Sequence, residues 1–287
     1  MIDSSLSKTR LPKVVWAAWL QGEESAPEIV RCCLKSWRIQ NPDWSVYVLN
    51  ARTAHELVDV GLSRKIFHSL GLQMQANLIR LALLEHYGGV WVDATTLCTK
   101  PLRDVLEDHV QPSGFFAFTN ASRDRLLSNW FLASTPGHPL VRELRRSLLQ
   151  YFRSHPPKPR YRWWQRALHK LAREMLKCHP AATGLWLRQP LVSLAGHYPY
   201  FLFHYTFASL YYSRRGRFRS LWRQTPVILN SEAKLLSRLA LNPCDDHQAQ
   251  QQLDAATMGI FKLTWKNSAK AAIPNATILA TMLEPYR

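Results

Sequence analysis

From Met74 to Tyr87 the chain contains neither Gly nor Pro and is dense in Leu78, Ile79, Leu81, Ala82, Leu83 and Leu84. A segment of that composition forms a helix and can bury most of its circumference. One stripe stays polar: Gln73, Asn77 and Arg80 are spaced i, i+4 and i+7 and so share a face. An Arg on a nearly apolar helix calls for an anionic or amide partner, because an unpaired buried charge is costly. Gly88 and Gly89 then end the helix, the first where a left-handed cap is expected, and both permit close backbone approach. Val90-Trp91-Val92 is too apolar for an edge strand, so a central strand is expected, with Asp93 at its carboxyl end. Open α/β sheets bind ligands at that end of their strands. The same residues also fit a solvated helical stripe and a turn-forming Asp. If Asp93 faces a cleft, removing it spares the fold.

The coarse pattern is strand 13–20, helix 27–40, strand 45–49, two short helices within 53–69, the long helix 74–87 and the strand ending at Asp93. Further strands are expected over 115–119 and 129–134, with a helix from about 138 to 153. Strand–helix alternation argues for an α/β fold with a parallel-type sheet covered on both faces. A chain of 287 residues is long enough for one large domain with an insertion. We divide it into a ligand-binding core (1–135), a helical basic region (136–225) and a C-terminal part closing the site (226–287).

Positive charge is concentrated in that middle region. Residues 153–177 hold eight Lys or Arg against Glu174, and 213–223 hold five Arg with no acid, together about 12 of a net +17. Trp163, Trp164, Ala167, Leu168, Leu171, Ala172, Met175 and Leu176 line one face of a helix flanked by Arg162, Arg166, Lys170, Arg173 and Lys177. Such a helix suits either an anionic membrane interface or an ordinary core contact with a solvated basic side. Basic charge with interleaved aromatics also suits nucleic acid, but no nucleic-acid module is visible, so no nucleic-acid partner is expected. The 22 residues 191–212 lack charge, yet Gly196, Pro199, two His and five Tyr make a membrane span a poor reading. Five cysteines without metal spacing read as reduced thiols, and the first residues do not resemble a signal peptide, so a cytoplasmic protein is expected.

The run from Asn77 to Thr96 resembles the signature of GT-A glycosyltransferases, Ser-Asp-x-x-Arg through Gly-Gly-x-Tyr/Trp-x-Asp-x-Asp. With Trp91-Val92-Asp93-Ala94-Thr95 and Leu97-Cys98-Thr99-Lys100-Pro101-Leu102 it is similar, more narrowly, to the bacterial capsular polysaccharide synthesis family. Similar blocks occur at Leu11–Gly22, Ser128–Leu140, Tyr200–His204 and Lys262–Lys266. The resemblance implies a GT-A-like (Rossmann-type) mixed central sheet flanked by helices, with a mostly helical basic insertion. It also implies transfer of a sugar from a nucleotide-sugar donor, with UDP-sugar favoured and anomeric configuration retained, to a capsule or lipopolysaccharide glycan or its lipid-linked form.

By the same resemblance Trp19 stacks on the nucleobase, with Gln21 and Gly22 near base and ribose. Asn77, Arg80, Gly89, Asp93 and Thr95 contact the donor, and Asn129 lines the acceptor side. Lys262, Thr264, Trp265 and Lys266 form a loop over the diphosphate. Asp93 and Arg80 are the catalytic candidates. A divalent Mn²⁺ or Mg²⁺, which prefers oxygen ligands, would sit on Asp93 and Thr95. Two departures stand out: Thr95 replaces the pattern's second Asp, and Asn77 replaces an Asp upstream. Loss of both acids leaves open a catalytically degenerate, membrane-associated scaffold.

Overall fold

The computed structural model describes residues 10–155, 163–176, 178–188, 199–213, 216–264 and 273–287. Its first half follows the sequence order: β1 (Val14–Ala18), α1 (Glu28–Gln40), β2 (Ser45–Leu49), α2 (Ala51–Leu57), α3 (Arg64–Ser69), α4 (Leu72–His86), β3 (Gly89–Asp93) and β4 (Thr96–Cys98). Two single-turn helices, α5 (Leu102–Val105) and α6 (Glu107–Val110), lead to β5 (Phe115–Ser122) and β6 (Arg125–Ser134). Then come α7 (Pro139–Ser154) and α8 (Trp163–Leu176). The remaining described elements are short helices, the helix Leu202–Tyr212 and one strand, β7 (Ile260–Lys262).

The main sheet has the order β2-β1-β3-β6-β5, so β3 is central, as its unbroken apolar run requires. It is a mixed sheet, as the resemblance implies, where strand–helix alternation alone argues for a parallel type. β1 is parallel to β2 and β3, but β6 is antiparallel to both β3 and β5. The reason is the connection between β5 and β6: Ser122 already pairs with Arg125, so the two residues Arg123 and Asp124 reverse the chain and no crossover helix intervenes. Side chains alternate between two cores. Val15, Ala17, Val90, Val92, Phe116, Phe131 and Ala133 pack under α1 with C-terminal Phe261, Leu279 and Leu283. Trp16, Trp91, Ala117 and Leu132 face α4, α7 and the helix Leu202–Tyr212. Helices thus cover both faces, and the last third of the chain shares the first core.

Gly88 and Gly89 have φ of 66° and 90°, and their roles separate. Gly88 satisfies the helix-end reading, its N–H donating to Leu84 O at 3.1 Å. Gly89 lies against β1: a Cβ there would strike Val14 Cγ1 and come within 2.6 Å of Val14 O. All five cysteines are unpaired. Among the described residues no helix is long and apolar enough to cross a membrane.

Candidate functional site

Register decides what meets at the carboxyl edge of the sheet. Ala18 of β1 pairs with Asp93 of β3, so the Trp19–Gly22 turn leaves the sheet beside Asp93. Antiparallel β6 pairs Phe131 with Val92, which brings Asn129 to the same edge. Asp93 shares strand parity with Trp91 and therefore faces α4, which carries Asn77 and Arg80.

These residues form a continuous polar thread. Arg80 Nη2 donates to Asp93 Oδ1 at 2.8 Å, and Trp91 Nε1 donates to the same oxygen at 3.3 Å. Arg80 Nη1 donates to Asn77 Oδ1, which also accepts from Asn129 Nδ2 at 3.0 Å. The guanidinium lies between aromatic faces, 4.8 Å from the Trp91 centroid and 5.9 Å from that of Phe203. Burial pulls its pKa down to about 10, against the opposing pull of Asp93, so it stays charged at neutral pH.

Arg80 is only 3% exposed, and both terminal nitrogens are already engaged. In this arrangement it holds Asp93 in place from behind. Asn77 is buried with it, whereas Asp93 and Asn129 remain partly open. The pairing also corrects the reading that Asp93 can be removed without cost, since removal would leave a buried guanidinium uncompensated. Gly89 sits at the opposite end of β3 from Asp93 and serves the packing of β1, so it is no donor contact.

Lys262 arrives by tertiary pairing. It ends β7, which pairs with β4 at Thr96, and so it belongs to a strand and not to the loop that the resemblance implies. Its Nζ donates to Thr95 Oγ1 and, at 3.0 Å, to Leu263 O, and lies 4.0 Å from Asp93 Oδ2. Thr264 is exposed just beyond; Trp265 and Lys266 lie outside the described residues. Gln21 is exposed, and Gly22 adopts φ 94° with open space around it. Trp19 is partly buried against the first core.

These donors do not fit a divalent cation. Asp93 faces two cations, and Thr95, read as the second ligand, already accepts from an ammonium. Among the described residues no group of three or more His, Cys, Asp or Glu could hold a metal. A doubly charged ion placed 4 Å from the Lys262 ammonium would meet roughly 8 kcal/mol of repulsion at an effective dielectric of about 20, twice the attraction of one carboxylate to one ammonium at that spacing.

Two more cations escaped the sequence reading. Arg125, at the start of β6, pairs with Asp124 at 3.3 Å and lies 4.1 Å from the Phe201 centroid. Lys234 follows a helix tied to β6 by Asn230, whose Oδ1 accepts from Ser128 and from Trp130 Nε1 at 3.0 Å. Burial first, and then Arg125, Arg238 and Lys262, hold its pKa below the usual lysine range. No local pattern marks either residue, because each takes its place from contacts between distant segments.

A family model described as capsular polysaccharide synthesis protein matches residues 3–181. The chain belongs to that family. The family match contains β1 through α8 and stops well before β7. Among characterised proteins, the chain is similar to the O-glycosyltransferase braB of Annulohypoxylon truncatum, 28% identical over 148 residues (45% of this chain, 35% of that protein). It is also similar to the initiation-specific alpha-1,6-mannosyltransferase of Candida albicans, 26% identical over 160 residues (46% and 41%). The match thus spans well under half the length of either relative. Among solved structures, the UDP-bound glycosyltransferase domain from the YGT toxin aligns with a TM-score of 0.42 at 9% identity, over 77% of this chain and 80% of that one.

Proposed function

We propose that this chain is a glycosyltransferase moving one sugar from a nucleotide-sugar donor to a bacterial capsule or lipopolysaccharide glycan. The observation that carries this is the thread Asn129–Asn77–Arg80–Asp93, which ends in a fixed, partly open carboxylate at the carboxyl edge of the sheet. Family membership and the similarity to an O-glycosyltransferase and a mannosyltransferase support the reaction class. Asp93 and Asn129 would meet sugar hydroxyls, Arg80 and Asn77 would hold them in position, and Trp19 would cover the base. Lys262 and Thr264 would face the diphosphate.

The bond between the sugar C1 and the diphosphate oxygen breaks, and its electron pair leaves with that oxygen. The acceptor hydroxyl oxygen bonds to C1, and its proton passes to the departing phosphate oxygen. That front-face course retains configuration and needs no separate protein base. Our favoured donor class is UDP-sugar, on the resemblance of the Asp93 run. A thermal-shift screen against UDP-, GDP-, CMP- and dTDP-sugars tests donor binding: one nucleotide class should raise the melting temperature, and a flat response from folded protein would refute the reading.

The protein would work at the cytosolic face of the inner membrane, adhering through α8. Trp164, Leu171 and Met175 on that helix are 37%, 59% and 68% exposed, an apolar stripe turned away from the core in a strongly basic chain. Flotation with anionic phospholipid vesicles at low salt should recover the wild type and lose Leu171→Asp; a wild type that remains unbound would refute adhesion. The exposed stripe and the neutralised Asp93 also favour, as a second reading, a membrane-bound scaffold without turnover, which sugar-nucleotide consumption separates from the first.

A further inference from the structure

C1–O cleavage builds negative charge on the departing diphosphate oxygen until the acceptor proton reaches it, and the carboxyl edge holds two cations, Arg80 and Lys262, around one open carboxylate. Lys262 is fixed there by backbone: β7 pairs with β4, and Leu263 N–H donates to Thr95 O at 2.9 Å. An ammonium has three donors. Two are used, on Thr95 Oγ1 and Leu263 O, while Asp93 Oδ2 at 4.0 Å is beyond hydrogen-bond reach. One N–H is therefore left for a ligand oxygen, on a side chain that is 21% exposed.

We infer that Lys262 takes the place of the divalent cation, so that the chain binds the nucleoside diphosphate without metal. This rests on the nucleotide-sugar reading above. The ammonium sits where a cation would otherwise bridge Asp93 and the Thr95 position, and it consumes the Thr95 oxygen that would have served as a ligand. As C1–O cleavage places its electron pair on the phosphate oxygen, Lys262 neutralises that charge electrostatically. It gives no proton and takes none. The substitution of Thr for a second Asp then has a chemical rationale: a second carboxylate would pair with this ammonium and withdraw it from phosphate.

The test is calorimetric titration of the full chain with UDP, GDP, CDP and dTDP, once with excess EDTA and once with Mn²⁺. One nucleotide should bind in EDTA, with Mn²⁺ changing its affinity by less than about threefold. Lys262→Gln should weaken that binding by roughly 30- to 100-fold, the loss of a charge-assisted contact to phosphate, while Lys262→Arg retains most of it. Melting temperatures of both variants establish that they are folded. Binding seen only with Mn²⁺ would overturn the metal-free inference and leave the donor reading intact, as would undiminished affinity in a folded Lys262→Gln. Absence of binding in both conditions would overturn the donor reading and this inference together.

Discussion

Replacing Asp93 by Ala strands a guanidinium inside the molecule. The Arg80 side chain is 4% exposed and that of Asp93 is 34%, so the cation is dry and its counterion half wet. Breaking a buried pair by removing one partner costs about 3–5 kcal/mol; water reaching the Asp93 end offsets part of this, giving about 2–4 kcal/mol for Asp93→Ala. For a chain of this size a loss of about 3 kcal/mol lowers the melting temperature by roughly 6–12 °C. Arg80→Leu should cost less, about 1–2 kcal/mol, because the Trp91 and Phe203 rings accommodate an aliphatic chain and Asp93 can turn to water. In the double variant no cation is stranded. Urea unfolding of wild type, both singles and the double should therefore give a coupling of at least about 1 kcal/mol. Single-variant losses that add to within about 0.5 kcal/mol would refute the buried pair as the support of Asp93.

Two further outcomes follow from burial and backbone. His204 is buried and its pKa is lowered to about 3, by burial first and then by Arg125 and Arg80. Below pH 6.5 the unfolded chain binds a proton that the folded chain refuses, so stability falls as pH drops from about 6.5 toward 3, by about 1.4 kcal/mol per pH unit for this group. Urea midpoints at pH 7.5 and 5.0 should diverge in the wild type by about 2 kcal/mol more than in His204→Leu; equal divergence would refute the assignment. Gly89→Ala forces a Cβ onto Val14 at φ 90° and should cost roughly 3–5 kcal/mol. An unchanged melting temperature would show that β1 does not lie where the register puts it.

What the sequence reveals about the site is local. Helical spacing puts Asn77 and Arg80 together, the Gly pair ends the helix, and the apolar run delivers Asp93 to a strand end. Sequence separation hides the remainder. Antiparallel β6, which carries Asn129 to the thread, depends on a two-residue reversal at Arg123–Asp124 that no hydrophobic period announces. Lys262 reaches Thr95 through a pairing across more than 160 residues. Arg80 shows the limit most clearly. Its spacing reveals that it needs a partner, but only the packing of α4 on β3 reveals that the partner is Asp93.

The central claim is turnover of a sugar nucleotide at Asp93, and release of nucleoside diphosphate from UDP-, GDP- and dTDP-sugars by the purified chain measures it directly. One donor class should be consumed, with Asp93→Asn at least about 100-fold slower while still folded. Folded wild-type protein that consumes none of them, or an Asp93→Asn variant that matches it, would contradict the account.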